Sequence, residues 1–146
     1  MWDEVVTVRV QDDTPVEERV AQLRALDVFA PLDQRPLERL AGALVDRRYS
    51  GGARILREGD EAEWFYVIVD GEVDIYRGDR LIVVRGPGEY FGEVALLYRI
   101  PRTASAVARS ELSLYALDGP TFIAAVNSDP RSRQIAAAVA AERIGP

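Results

Sequence analysis

Between Asp46 and Asp118 the period of the chain changes. Apolar residues alternate with polar ones instead of recurring three or four apart, and turn-forming clusters interrupt them roughly every eight to twelve residues. The clusters are Ser50-Gly51-Gly52, Glu58-Gly59-Asp60, Asp70-Gly71, Gly78-Asp79 and Gly86-Pro87-Gly88. Between them lie Ala53 to Arg57, Trp64 to Val69, Glu72 to Arg77, Arg80 to Arg85, Thr103 to Ala108 and Glu111 to Leu117. Strands this short, joined by tight turns, pair antiparallel and bury one face only by curling on themselves. The expected fold is therefore mostly β within an α+β chain: an antiparallel, jelly-roll-like β-roll with helices at both ends.

Those helices announce themselves by a different spacing. Thr14-Pro15-Val16-Glu17 reads as a helix opening, with Thr as cap and Pro in the first turn, followed by Val16, Val20, Leu23 and Leu26 on one face. A second amphipathic helix follows Asp33, with Leu37, Leu40, Ala41, Leu44 and Val45 on its apolar side. After Asp118, Gly119-Pro120 opens a helix that runs to Ser128, Asp129-Pro130 breaks it, and Arg131 to Ile144 forms a last, alanine-rich one. The expected organisation is a single domain: a linker or edge strand over 1–13, a helical segment over 14–45, the roll over 46–118 and two closing helices over 119–146.

One segment breaks the roll. Residues 91–105 hold Gly92, a glutamate at 93 and an arginine nine positions later at 102, with Ala95, Thr103 and Ala104 beside them. Gly92 admits a tight entry into a short helix, whose first amides have no internal acceptor and point at an anion. Arg102 offers a planar, charged fork to two phosphate oxygens. Glu93 repels phosphate but is a suitable acceptor for a ribose 2′-hydroxyl. Taken singly, Arg102 is a solvated strand arginine and Glu93 an acid favoured by a helix N-terminus; taken together they read sugar and phosphate at once.

Phe91-Gly92-Glu93-Val94-Ala95-Leu96 followed by Pro101-Arg102-Thr103-Ala104-Ser105 resembles the phosphate-binding cassette of the cyclic nucleotide-binding domain family. Arg57-Glu58-Gly59-Asp60, Trp64 to Ile68 and Asp70-Gly71-Glu72-Val73 resemble its preceding hairpins, so the likeness covers about residues 20–146. It implies a double-stranded β-helix and a regulatory domain whose ligand moves its C-terminal hinge and lid helices. The implied ligand contacts are Phe91, Gly92, Glu93, Val94, Ala95, Arg102, Thr103 and Ala104. Thr103 stands where cGMP-selective sites carry a threonine, yet cAMP-preferring channel domains share the Arg-Thr-Ala-Ser order, so cAMP is the expected ligand and cGMP its rival. Val73, Ile82 and Val84 are base-pocket candidates from strand alternation. Ile135, Val139, Arg143 and Ile144 are candidates for the lid, Arg143 lying near a base-contacting arginine of channel members. The run Trp64-Phe65-Tyr66 is assigned to core and rim rather than to base stacking.

Composition removes most other functions. The chain has no cysteine and no histidine, and all 18 basic residues are arginine. Thiolate metal sites, a Ser-His-Asp triad, histidine metal cages and a Walker lysine are therefore absent, and no enzyme activity or cofactor is expected. A net charge of −6, with arginines scattered among acids, leaves no basic stripe for nucleic acid. No apolar run approaches the roughly 20 residues of a membrane span. The expected setting is cytoplasmic, as a separate protein or fused to or docked on a bacterial transporter or channel; the arginine-only, alanine-rich composition suggests the bacterial source. The alternative is a binding-silent member of the same fold that serves interaction or oligomerisation.

Overall fold

The computed structural model describes residues 14–144 and the backbone of Val5–Val6. Its elements are β1 (Val5–Val6), α1 (Val16–Arg24), α2 (Gln34–Ala43), β2 (Val45–Tyr49), β3 (Arg54–Leu56), β4 (Trp64–Asp70), β5 (Val73–Arg77), β6 (Arg80–Arg85), β7 (Tyr90–Phe91), α3 (Glu93–Tyr98), β8 (Ser105–Ala108), β9 (Leu112–Asp118), α4 (Gly119–Asn127) and α5 (Pro130–Ile144). Two antiparallel sheets face each other, one in the order β1-β2-β9-β4-β7 and the other β3-β8-β5-β6. The β-roll expected from the turn spacing is present, as two open sheets rather than a closed barrel. Of the N-terminal stretch, Val5 and Val6 pair with Tyr49 and Arg48 at the sheet edge; the rest of 1–13 lies outside the described residues.

β4 and β9 form the wall between two cores because both of their faces are apolar. Tyr66, Ile68, Leu112, Leu114 and Ala116 point between the sheets, where they meet Val73, Phe91, Ala106 and Ala108. Their neighbours Phe65, Val67, Tyr115 and Leu117 point the other way, under the helices, onto Val20, Leu23, Phe29, Leu37, Leu40, Phe122 and Val126. Phe65 stacks on Phe122 of α4 at 4.2 Å between centroids, and Phe29 meets both rings edge-on. The aromatic run at 64–66 is thus divided between two cores. Gly71, at φ +91°, completes the β4–β5 turn where a Cβ would come within 2.2 Å of the Glu111 carbonyl oxygen.

Several boundaries differ from expectation. Pro15, not Thr14, occupies the N-cap of α1, and Val16 is 51% exposed, so the buried face of that helix is Val20 and Leu23. Leu26 lies past its end and is buried in a run of turns with Val28, Phe29 and Leu32. α2 stops at Ala43 because Leu44 turns to extended backbone, and Val45 opens β2. That strand escaped the alternation pattern because Asp46, Arg47 and Arg48 crowd it with charge. Asp118 caps α4 by accepting from the Thr121 amide at 2.8 Å.

Candidate functional site

The cassette is shaped by Gly92. It joins β7 to α3 at φ +93°, and a Cβ there would stand 3.1 Å from Arg102 Nη1 and 3.2 Å from the Trp64 carbonyl oxygen. The missing side chain makes room for the guanidinium. Arg102 is held by its backbone as well: its amide donates to Asp60 O and its carbonyl accepts from the Gly59 amide, both at 2.8 Å. The Glu58-Gly59-Asp60 turn is therefore the footing of the arginine.

Arg102 is only 5% exposed. Its Nη1 donates to Gly92 O at 2.8 Å and its Nη2 to Trp64 O at 2.6 Å. Both partners are neutral, and no carboxylate among the described residues is in ion-pair contact with it. Burial lowers its pKa from the ordinary arginine range, against the opposing pull of Tyr66, Glu93 and Glu63. A buried cation with dipoles for partners is a site that favours an anion.

Glu93 is 1% exposed at the start of α3. Its Oε1 accepts from Arg143 Nη1 at 2.9 Å, while its Oε2 is buried with no donor. The same Arg143 nitrogen donates to Tyr90 O at 2.8 Å, and the guanidinium lies 4.7 Å from the Tyr90 ring centroid. The Tyr90 hydroxyl donates to Asp27 Oδ1 at 2.7 Å, and burial first, then this bond, raises its pKa. Beneath the cassette Tyr66 stacks on Phe91 at 5.1 Å, and burial is the main cause that pushes its pKa up to about 12.

Glu93, Arg102 and Arg143 share one cavity of about 310 Å³. Phe91, Gly92, Glu93, Val94, Ala95, Arg102, Thr103 and Ala104 all line it, as do Ile82 and Arg143. Val73 does not: it lies on the correct face of β5 but at the closed end, fully buried between the sheets, and Ile75 and Arg77 further along reach the cavity. Val84 has the wrong parity, since Val83 and Arg85 face inward; Ile82 joins them because a bulge pairs Ile75 with Val83 and Tyr76 with Leu81, leaving Ile82 as the extra residue. Ile135 and Val139 pack on the helical core instead, and Ile144 contributes a carbonyl rather than a lining side chain. Arg77, Arg85, Ser105 and Glu142 line the cavity without having been singled out. The inward parity of β5 marks Arg77; nothing in the local sequence marks Glu142.

The chain belongs to the cyclic nucleotide-binding domain family, whose pattern it matches over residues 46–129. It is 40% identical over 95 residues, 65% of this chain, to a cAMP-dependent protein kinase regulatory subunit of Eremothecium gossypii. Among solved structures, the regulatory domain of Toxoplasma gondii PKA with cAMP is 33% identical with a TM-score of 0.76, over 83% of this chain and 48% of that one. The regulatory subunit of a cAMP-independent protein kinase A from Trypanosoma brucei is 25% identical with a TM-score of 0.67, over 80% and 47%. The chain spans 21% of the Eremothecium relative and 29% of its Schizosaccharomyces pombe counterpart. These relatives, with others from Debaryomyces hansenii, Candida albicans, Yarrowia lipolytica and Colletotrichum orbiculare, are fungal and point to a eukaryotic lineage. That corrects the bacterial source expected from arginine and alanine usage, which reflects codon composition and not lineage. No helix among the described residues is long and apolar enough to cross a membrane.

Proposed function

We propose that this domain senses a 3′,5′-cyclic purine nucleotide, cAMP by preference, and answers by changing how α4 and α5 lie on the roll. The observation that carries this is the donorless Oε2 of buried Glu93, in the same cavity as buried Arg102. A buried carboxylate oxygen calls for a donor, and a buried guanidinium with neutral partners calls for an anion. A ribose carrying a cyclic phosphate supplies both. The 2′-hydroxyl donates to Oε2, the phosphate meets Arg102 beside the first turn of α3, and the purine takes the end lined by Ile75, Ile82 and Val83. Arg143 keeps Oε1, so ligand and lid share one carboxylate, and the ligand shifts the balance between lid arrangements. No bond is made or broken.

The names of the fungal relatives and the cAMP in the Toxoplasma structure support cAMP over cGMP, with Thr103 in the cavity as the feature that keeps cGMP in the comparison. The same names favour a protein kinase as effector over a transporter or channel. Calorimetric titration of the protein with both nucleotides tests the reading; saturable cAMP binding tighter than cGMP is expected. The Trypanosoma neighbour, named as cAMP-independent, favours a second reading, an interaction module indifferent to cAMP. No heat and no thermal shift at millimolar concentration of either nucleotide would establish that second reading over the first.

A further inference from the structure

Arg77, the last residue of β5, lines the cavity from the strand side. Its Nη2 donates to the carbonyl oxygen of Arg143 at 2.8 Å and to that of Ile144 at 3.2 Å. These carbonyls belong to the last turn of α5, which ends at Ile144. Terminal helix carbonyls have no donor within the helix, and they form the negative end of its dipole, so a guanidinium is a favourable cap for them. α5 otherwise packs on α3 and α4. Arg77 fastens its far end to the opposite sheet.

Arg143 is thereby held twice. Its carbonyl is taken by Arg77, and its guanidinium reaches Glu93 Oε1 and Tyr90 O. Three elements, β5, β7 and α3, grip one helical residue beside the cavity. When the last turn of α5 lifts, that side of the cavity opens for a molecule to leave, and the Arg77 bonds break as it does.

We infer that Arg77 is a positioning residue that holds the end of α5 over the cavity and sets the residence time of a bound nucleotide. The inference rests on the nucleotide-binding reading above. It assigns Arg77 an effect on release and none that slows entry, because entry proceeds from the lifted state.

Release of a fluorescent cAMP analogue, chased with excess cAMP in stopped flow, tests it on the parent, Arg77→Met and Arg77→Lys. The Met variant is expected to release about tenfold faster with no slower association, as loss of a partly exposed charge-assisted bond implies. The Lys variant, which retains a cation able to cap carbonyls, recovers most of the residence time. Amide exchange over residues 140–144 without nucleotide is the second measurement, and it is expected to speed up in the Met variant alone. If the Met variant does not fold, Arg77→Gln replaces it. Release at the parent rate, or a Lys variant as fast as the Met variant, overturns the inference. A parent that binds no analogue defeats the nucleotide reading instead, and the exchange measurement then still decides whether Arg77 fastens the helix.

Discussion

Glu93 and Arg143 meet at 2.9 Å with the carboxylate 1% exposed, and only one of its two oxygens is used. Removing the arginine leaves a buried charge without a counterion, which costs more than the pair contributes. Arg143→Ala is expected to destabilise the unliganded domain by about 2 kcal/mol, below the fully buried range because the arginine is partly solvated. Adding Glu93→Gln returns part of that loss. Urea unfolding of both singles and the double measures the coupling, and additive losses would rule out a direct partnership.

Arg102→Ala is expected to weaken cAMP binding by one to two orders of magnitude, the equivalent of about 1.5–3 kcal/mol for a charged hydrogen bond. Arg102→Lys keeps the charge but cannot reach the Gly92 and Trp64 carbonyls together as the fork does. It should fall close to the alanine variant in calorimetry. Affinity equal to the parent in the alanine variant would remove Arg102 from the site.

Gly92→Ala places a Cβ at φ +93° and 3.1 Å from Arg102 Nη1. The strained backbone costs on the order of 1–3 kcal/mol, and the guanidinium is pushed off its carbonyls. Thermal unfolding and titration should both shift, stability down and cAMP affinity at least tenfold lower. Arg99 gives the opposite case, since it ends α3 at φ 56° with a side chain that disfavours that conformation. Arg99→Gly should raise stability by about 0.5–1 kcal/mol and leave binding intact.

Alkaline titration should expose the burial of Tyr66. Its pKa lies near 12 in the fold against an ordinary 10.0, so the stabilising contribution is complete below pH 10 and is lost as pH rises toward 12. The sign follows because the unfolded chain gives up its proton first. The loss amounts to roughly 2–3 kcal/mol across that window. Tyr66→Phe should flatten the decline between pH 10 and 12 in denaturant midpoints; a decline as steep as the parent's would place its cause elsewhere.

The roll and the cassette were legible because each rests on local chemistry. Turn residues mark hairpins wherever they occur, and Gly92, Glu93 and Arg102 belong to one short stretch whose spacing carries their geometry. What stayed hidden depends on distant partners. β2 is a strand because β9 pairs with it, although its own residues are mostly charged. Alternation named Ile82 together with Val84, yet Val83 and not Val84 lines the cavity beside Ile82, because of a bulge that alternation has no means to foresee. Ile135 and Val139, lid candidates by resemblance, sit earlier along α5 and pack on the helical core, while Glu142 and Arg143 near its end line the cavity.

The peptide unit between Trp64 and Phe65 has a different neighbour on each side. Its carbonyl oxygen grips Arg102, while the ring that follows rests flat against Phe122 of α4. The anchor of the buried guanidinium and the seat of α4 on the sheet are thus one peptide unit apart, with no intervening residue between them.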